Sequence, residues 1–287
     1  MASDGWDDSF EGPGLESEDA SATCPGWACS FVQGCRYSME DVHIVRRTEG
    51  LHIFAVCDGH GGDRCAKYLE AHLAEKIATR IRGFPDNIPE ALTRVCEDVD
   101  KEFLNSLGGR HEEQNVGSCA VIVVLKGNRA FCANVGDSRA VLYCRDKSSR
   151  STVVTPLSTD HKPMPNTAEL QRLKDIGTMV HMGRLEGRIA VSRAFGDATF
   201  KTRNVGLISE PEIQTIDLPD RAGKDVFLVI ACDGLWDVTT NEQAGDLVTD
   251  LRKLSESAKA LTDFGLGNGS TDNITAMVVS LNSPFKY

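Results

Sequence analysis

The 287-residue chain has no excess of positive charge: 31 Lys and Arg stand against 42 Asp and Glu, a formal net charge of −11. That argues against a nucleic-acid binder, whose phosphate contacts need a basic patch. Apolar runs stay far short of the ~20 residues that a membrane-spanning helix needs, so no membrane insertion is expected. A secretory leader is not evident, and the expected setting is cytosolic or nuclear, with reduced thiols. The ten cysteines include no Cys-x-x-Cys pair and no disulfide-scaffold crowding. Cys57, Cys119, Cys132 and Cys232 fall inside apolar strand patterns, where a free cysteine acts as a small hydrophobe. Cys24, Cys29 and Cys35 are close together but lack a fourth zinc ligand. No Pro- or Ser-rich linker interrupts the chain after its first residues. Residues 1–23, acidic, Gly/Ser-rich and almost without aliphatics, read as a disordered tail. Residues 24–287 read as a single domain, expected to be a monomer.

What is present begins with an apolar run, His52-Ile53-Phe54-Ala55-Val56-Cys57, cut off by Asp58-Gly59-His60-Gly61-Gly62. The run reads as a buried strand, and the glycines permit a tight turn that aims Asp58 and His60 out of the sheet end. Val226 to Gly234 repeats the design: apolar strand, cysteine, Asp233-Gly234. A third acid, Asp272, precedes the apolar run Ile274 to Val279. If these strands share a sheet edge, the three carboxylates converge, and they would repel unless protonated or bound to a cation. Oxygen ligation without histidine or thiolate suits Mg²⁺ or Mn²⁺ rather than zinc or copper. Asp137, in Val135-Gly136-Asp137-Ser138, is equally a turn residue or a fourth site acid. Arg36 is a bidentate donor suited to a phosphate, or a surface partner for Glu40 or Asp41.

Helical periods run from Asp63 to Arg82 and from Ile88 to Leu107, with shorter helices at Thr167–Ile176, Asn241–Leu254 and Ser257–Phe264. Strand patterns occupy Trp27–Val32, Val42–Arg46, Ser118–Leu125, Arg129–Val135, Arg139–Cys144, Glu212–Ile216, Asp225–Cys232 and Ile274–Leu281. Two further short strands are expected at Thr178–His181 and Arg188–Val191. Thr155–Pro165 reads as loop, and Phe195–Glu210 as a mobile loop. Hairpins interrupted by helix pairs imply an α+β fold: a four-layer α-β-β-α sandwich of two antiparallel sheets flanked by helices.

Seven ordered motifs carry a resemblance. They are Arg36-Tyr37-Ser38-Met39-Glu40-Asp41, Val56 to Gly62, Ala133 to Arg139, Thr159-Asp160-His161-Lys162-Pro163, Ala190 to Asp197, Cys232-Asp233-Gly234-Leu235-Trp236-Asp237, and Thr271-Asp272-Asn273-Ile274-Thr275. Together they resemble the metal-dependent serine/threonine protein phosphatases of type 2C, over roughly Trp27 to Leu281. The resemblance implies hydrolysis of phosphoserine and phosphothreonine in signalling proteins by a hydroxide bridging two Mn²⁺ or Mg²⁺ ions, without a phosphoenzyme intermediate. Asp58 would bridge both ions. Asp233 and Asp272 would complete one, and the Gly59 carbonyl and, through water, Glu40 would serve the other. Arg36 would hold the substrate phosphate, His60 would be the general acid, and Arg184 matches a basic position near the peptide groove. Asp137, with Asp233 and Asp237, matches positions that some members use for a third, weaker metal. The loop after Phe195, which corresponds to the family's substrate-selecting flap, is short. A non-catalytic scaffold of this fold would normally lack a metal acid, and Asp58, Asp233 and Asp272 are all present.

Overall fold

The structure, a computed structural model, describes residues 14–18, 26–48, 50–109 and 114–282. In chain order the first half holds β1 (Gly14–Glu18), β2 (Trp27–Val32), β3 (Val42–Thr48), β4 (Leu51–His60), α1 (Arg64–Gly83), α2 (Ile88–Ser106), β5 (Gly117–Lys126) and β6 (Arg129–Val135). There follow β7 (Arg139–Asp146), β8 (Thr152–Pro156), α3 (Thr167–Asp175), β9 (Val180–His181), β10 (Arg184–Leu185), β11 (Phe195–Gly196) and α4 (Ala198–Thr202). The remainder is β12 (Glu212–Asp217), β13 (Lys224–Ala231), α5 (Asp233–Trp236), α6 (Asn241–Leu247), α7 (Leu254–Gly267) and β14 (Ile274–Ser280). One sheet has the order β1-β2-β14-β13-β7-β8; the other runs β12-β6-β5-β4-β3, with β11 pairing onto β5. The pairings within both sheets are antiparallel.

The continuous apolar strands are explained by burial on both faces. In β5, Ala120, Ile122 and Val124 meet the α1–α2 layer, while Val121, Val123 and Leu125 point between the sheets. In β13, Val226, Leu228 and Ile230 join that central layer, and Phe227, Val229 and Ala231 face α6 and α7. Three apolar layers therefore bind four structural ones, the sandwich expected. The α1 stripe Ala66, Leu69, Leu73, Ile77 and Ile81 is buried as its period implies.

Several expectations are corrected. The tail is not wholly without structure, since β1 pairs with β2, Gly14 opposite Phe31 and Glu18 opposite Trp27. Edge pairing uses backbone groups, so a composition poor in aliphatics does not forbid it. Residues 1–13 and 19–23 of that tail, and Cys24, lie outside the described residues. The segment after Phe195 is not a loose loop: β11 and α4 form within it, and Phe200, Val205 and Leu207 are buried with Leu173 and Leu185. The strand expected at Arg188–Val191 is replaced by β10, which pairs with β9 through Arg184 opposite His181. The helix expected over Asn241–Leu254 stops at Leu247, because Val248 leaves helical geometry (ψ 89°). Pro156 is accommodated in β8, an edge strand, where its missing N–H costs no ladder bond.

Candidate active site

Antiparallel register places the end of one strand beside the start of the next. At one edge of the first sheet, Ala231 lies opposite Ala276 and Arg139, and Ile274 opposite Val32. At the corresponding edge of the second, Cys57 lies opposite Val42, His60 opposite Gly117, and Ala120 opposite Val135. The connections leaving these edges carry Arg36 to Asp41, Asp58 to Gly62, Asp137, Asp233 and Asp272. Of these, Arg36, Glu40, Asp58, Gly59, Asp137, Asp233 and Asp272 line one cleft of about 750 Å³, together with His60, Lys162, Arg184 and Asp197.

Carboxylate oxygens of Asp58, Asp137 and Asp233 lie within 4.8 Å of one another. Two unit charges at that spacing repel by about 3.5 kcal/mol at an effective dielectric of about 20. Burial, and then the charges of Asp233, Asp41, Asp137 and Asp272, push the Asp58 carboxyl well above the usual range. Asp233 is raised in the same way, by burial and then by Asp137 and Asp237. Burial also raises Asp137, against the pull of the Lys162 ammonium. Lys162 Nζ reaches Asp237 Oδ1 at 2.6 Å and Asp137 Oδ2 at 3.5 Å, a cation supplied by the chain at the positions matched to a third metal. Asp272 lines the same cleft, but its carboxylate is engaged by Arg36 at 2.5 Å and by the Asn273 N–H at 2.7 Å. Arg36 pairs there rather than with Glu40 or Asp41, and at 59% exposure its guanidinium still faces the cleft mouth.

Glu40 accepts from Ser38 Oγ at 2.7 Å and from the Gly62 N–H at 3.0 Å, which fixes it beside the β4 turn. Gly59 packs so close to the Glu40 backbone that a Cβ there would collide with the carbonyl. Arg184 lies at the cleft's rim, donating to the Arg188 carbonyl at 2.9 Å.

Two residues carry more than the sequence assigned them. Asp197, only 2% exposed, receives His60 Nε2 at 2.7 Å. Burial alone would lower the His60 pKa, but the charge and hydrogen bond of Asp197 outweigh it, and Asp137 and Glu40 add to the rise. Asp197 holds a left-handed backbone (φ 54°) next to Gly196 (φ 77°), which swings its side chain into the cleft. Its place after Phe195-Gly196 was the only sequence signal. Asp41 is the second: 7% exposed, with Oδ2 lacking any hydrogen-bond partner among the described residues. Burial pushes its carboxyl up from 3.8 to about 6, although Thr275 and Cys232 work against the rise.

A family model described as protein phosphatase 2C matches residues 28–274. The chain belongs to the protein phosphatase 2C family. It is 37% identical over 273 residues to probable protein phosphatase 2C 52 of Oryza sativa subsp. japonica, covering 93% of this chain and 52% of that one. It is likewise 37% identical over 257 residues to probable protein phosphatase 2C 11 of Arabidopsis thaliana, covering 87% of this chain and 65% of that one. The chain thus spans about half to two thirds of these relatives' length. A serine-threonine phosphatase 2C from Toxoplasma gondii shares the fold, with a TM-score of 0.71 at 22% identity over 93% of this chain and 99% of that one.

The phosphatase 2C family is metal-dependent, and the donor set here fits hard divalent ions. Oxygen donors crowd beyond what ionisation alone tolerates, and one of them, Asp41 Oδ2, is buried and unpartnered. Among the described residues no helix is long and apolar enough to cross a membrane.

Proposed function

We propose that this chain hydrolyses phosphoserine and phosphothreonine in proteins with the help of two Mg²⁺ or Mn²⁺ ions. The observation that carries the reading is the convergence of the Asp58–Asp137–Asp233 cluster, Arg36 and the His60–Asp197 pair on one cleft. Asp58 would touch both ions, with Asp233 and Asp272 on one and the Gly59 carbonyl and, through water, Glu40 on the other. When bound, such ions neutralise the acids and supply a hydroxide nucleophile near neutral pH by lowering the pKa of water.

The chain's own groups do the rest. Arg36 swings from Asp272 to the phosphate, where its planar fork matches two equatorial oxygens. His60, kept protonated by Asp197, donates its proton to the departing serine or threonine oxygen, a poor leaving group as a bare alkoxide. With Nε2 on the Asp197 carboxylate, Nδ1 is the nitrogen left to donate to the departing oxygen. Arg184 and Arg188 at the rim favour phosphopeptides, which reach beyond the phosphate, over small phosphate esters. Asp137 and Asp237, bridged by Lys162, offer a weaker third position that a metal would have to share with that ammonium.

The test measures phosphate release from a phosphoserine and phosphothreonine peptide panel, beside small phosphate esters, after metal stripping and with Mn²⁺ or Mg²⁺ restored. Activity on peptides is expected only with metal. Undiminished hydrolysis in chelator, or hydrolysis of small esters alone, would refute the proposal.

A further inference from the structure

Cys232 stands one residue before Asp233, and its thiol faces a different set of neighbours. The residue is fully buried. Its Sγ accepts the Thr275 N–H at 3.1 Å and directs its S–H to the Asn273 carbonyl at 3.4 Å. This sulfur, an Asp41 oxygen and an Asp58 oxygen all lie within 4.8 Å of one another. Asp41 is 7% exposed, and its Oδ2 has no hydrogen-bond partner among the described residues. A buried carboxylate oxygen without a donor is costly, and a cation at the centre of the three groups would satisfy it.

We propose that Asp41, Asp58 and Cys232 form a mixed oxygen–sulfur site for a thiophilic divalent cation of the zinc and cadmium type. Two carboxylates and one thiolate, with a water as fourth donor, suit four-coordinate zinc, whereas magnesium and manganese prefer oxygen alone. Binding breaks the S–H bond, sends that proton to solvent and forms a metal–sulfur bond, with no change of oxidation state. Burial and the charges of Asp41, Asp58 and Asp233 hold the Cys232 thiol protonated when no ion is bound, so the thiolate forms only with the cation beside it, and the Thr275 N–H already on the sulfur then helps to hold it. Asp58 belongs both to this site and to the magnesium or manganese site. The two kinds of ion therefore exclude one another, and a thiophilic ion switches the phosphatase off. That exclusion rests on the proposed function; binding of the thiophilic ion does not.

The experiment titrates metal-stripped full-length protein with Cd²⁺ alone under a non-thiol reductant. It follows the ultraviolet charge-transfer band of a cadmium–thiolate bond. The band is expected to saturate at one ion per chain, to vanish in Cys232→Ser and to persist in Cys119→Ser, whose thiol lies elsewhere in the cleft beside Asp137. Asp41→Asn, which keeps the thiol, should raise the Cd²⁺ dissociation constant by at least about 10-fold. A band that survives Cys232→Ser, or none in the wild type, would overturn the site. Should Cys232→Ser fail to fold, unchanged Cd²⁺ affinity in Asp41→Asn would do the same. Added Mn²⁺ should shift the Cd²⁺ midpoint upward in the wild type; an unmoved midpoint in a protein whose Mn²⁺-dependent activity is intact would overturn the shared ligand.

Discussion

His60 is held from behind and open in front. Its Nε2 meets Asp197 at 2.7 Å, while a third of its side chain remains exposed to the cleft. Such a residue matters most where the leaving oxygen is most basic. His60→Gln is expected to cost on the order of 10²–10⁴-fold in kcat on phosphoserine peptides and far less on a nitrophenyl ester, whose anion leaves almost unaided. Asp197→Asn should lower the His60 pKa, because it removes the main influence that raises it against burial. The limb of the pH–rate profile reporting the protonated acid should therefore move to lower pH. Equal losses on both esters would mean that His60 positions phosphate or water instead of donating a proton. The sequence revealed His60 because an Asp-Gly-His-Gly-Gly turn ending a strand is conspicuous. It did not reveal the role of Asp197, whose contact spans 137 positions and depends on a left-handed backbone that no local pattern announces.

At the scale of elements, the central strands β4, β5, β13 and β14 were legible because each is apolar on both faces and bounded by turn residues. The Phe195–Glu210 segment was not legible. Its buried Phe200, Val205 and Leu207 follow no single period, and they join a small cluster with Leu173 of α3, Leu185 of β10 and Cys119 near the start of β5. The start of β5 shows what element geometry does for the site. Gly117 lies opposite His60 on β4 and opposite Gly196 on β11, so it separates the two strands that deliver the His–Asp pair. A Cβ at this position would run into the Asp197 carboxylate and His60 Nε2. Gly117→Ala should push the pair apart, and a displacement of about 1 Å at a reacting group can cost about 10²-fold in rate. The expected result is a kcat lowered by roughly that factor with Mn²⁺ affinity, by calorimetry, unchanged. Wild-type kcat in this variant would mean that the pair does not serve the reaction.

The whole molecule holds its acids where folding opposes their ionisation. Three apolar layers fix the sheet edges rigidly, so Asp41, Asp58, Asp137 and Asp233 cannot move apart to relieve their repulsion. An acid whose folded pKa is raised binds more protons in the folded than in the unfolded state. Its contribution therefore destabilises the fold progressively as pH rises from the unfolded value through the folded one. For Asp41 that window runs from 3.8 to about 6, and Asp58 and Asp233, both also raised, act with the same sign. His60, raised by Asp197, acts with the same sign, since its stabilisation is lost as pH rises through its folded pKa. Glu169 acts oppositely: burial would raise it, but hydrogen bonds from Arg193, Arg172 and Ser192 hold it far down. Its stabilisation is complete above its unfolded value of 4.5, so it stays constant across the range of interest. Metal-stripped protein should therefore melt at a lower temperature at about pH 7.5 than at about pH 5.5. Mn²⁺ should reverse the order, adding about 2.7 kcal/mol at 100 times its dissociation constant. Asp58→Asn removes the most crowded charge, so it should raise the melting temperature of the metal-stripped protein at the higher pH and abolish most of the gain from Mn²⁺. The check is a set of thermal scans of both proteins at the two pH values, with and without Mn²⁺. If the metal-stripped wild type melts equally at both pH values, or Asp58→Asn retains the full Mn²⁺ shift, the carboxylates are not held in mutual repulsion by the fold.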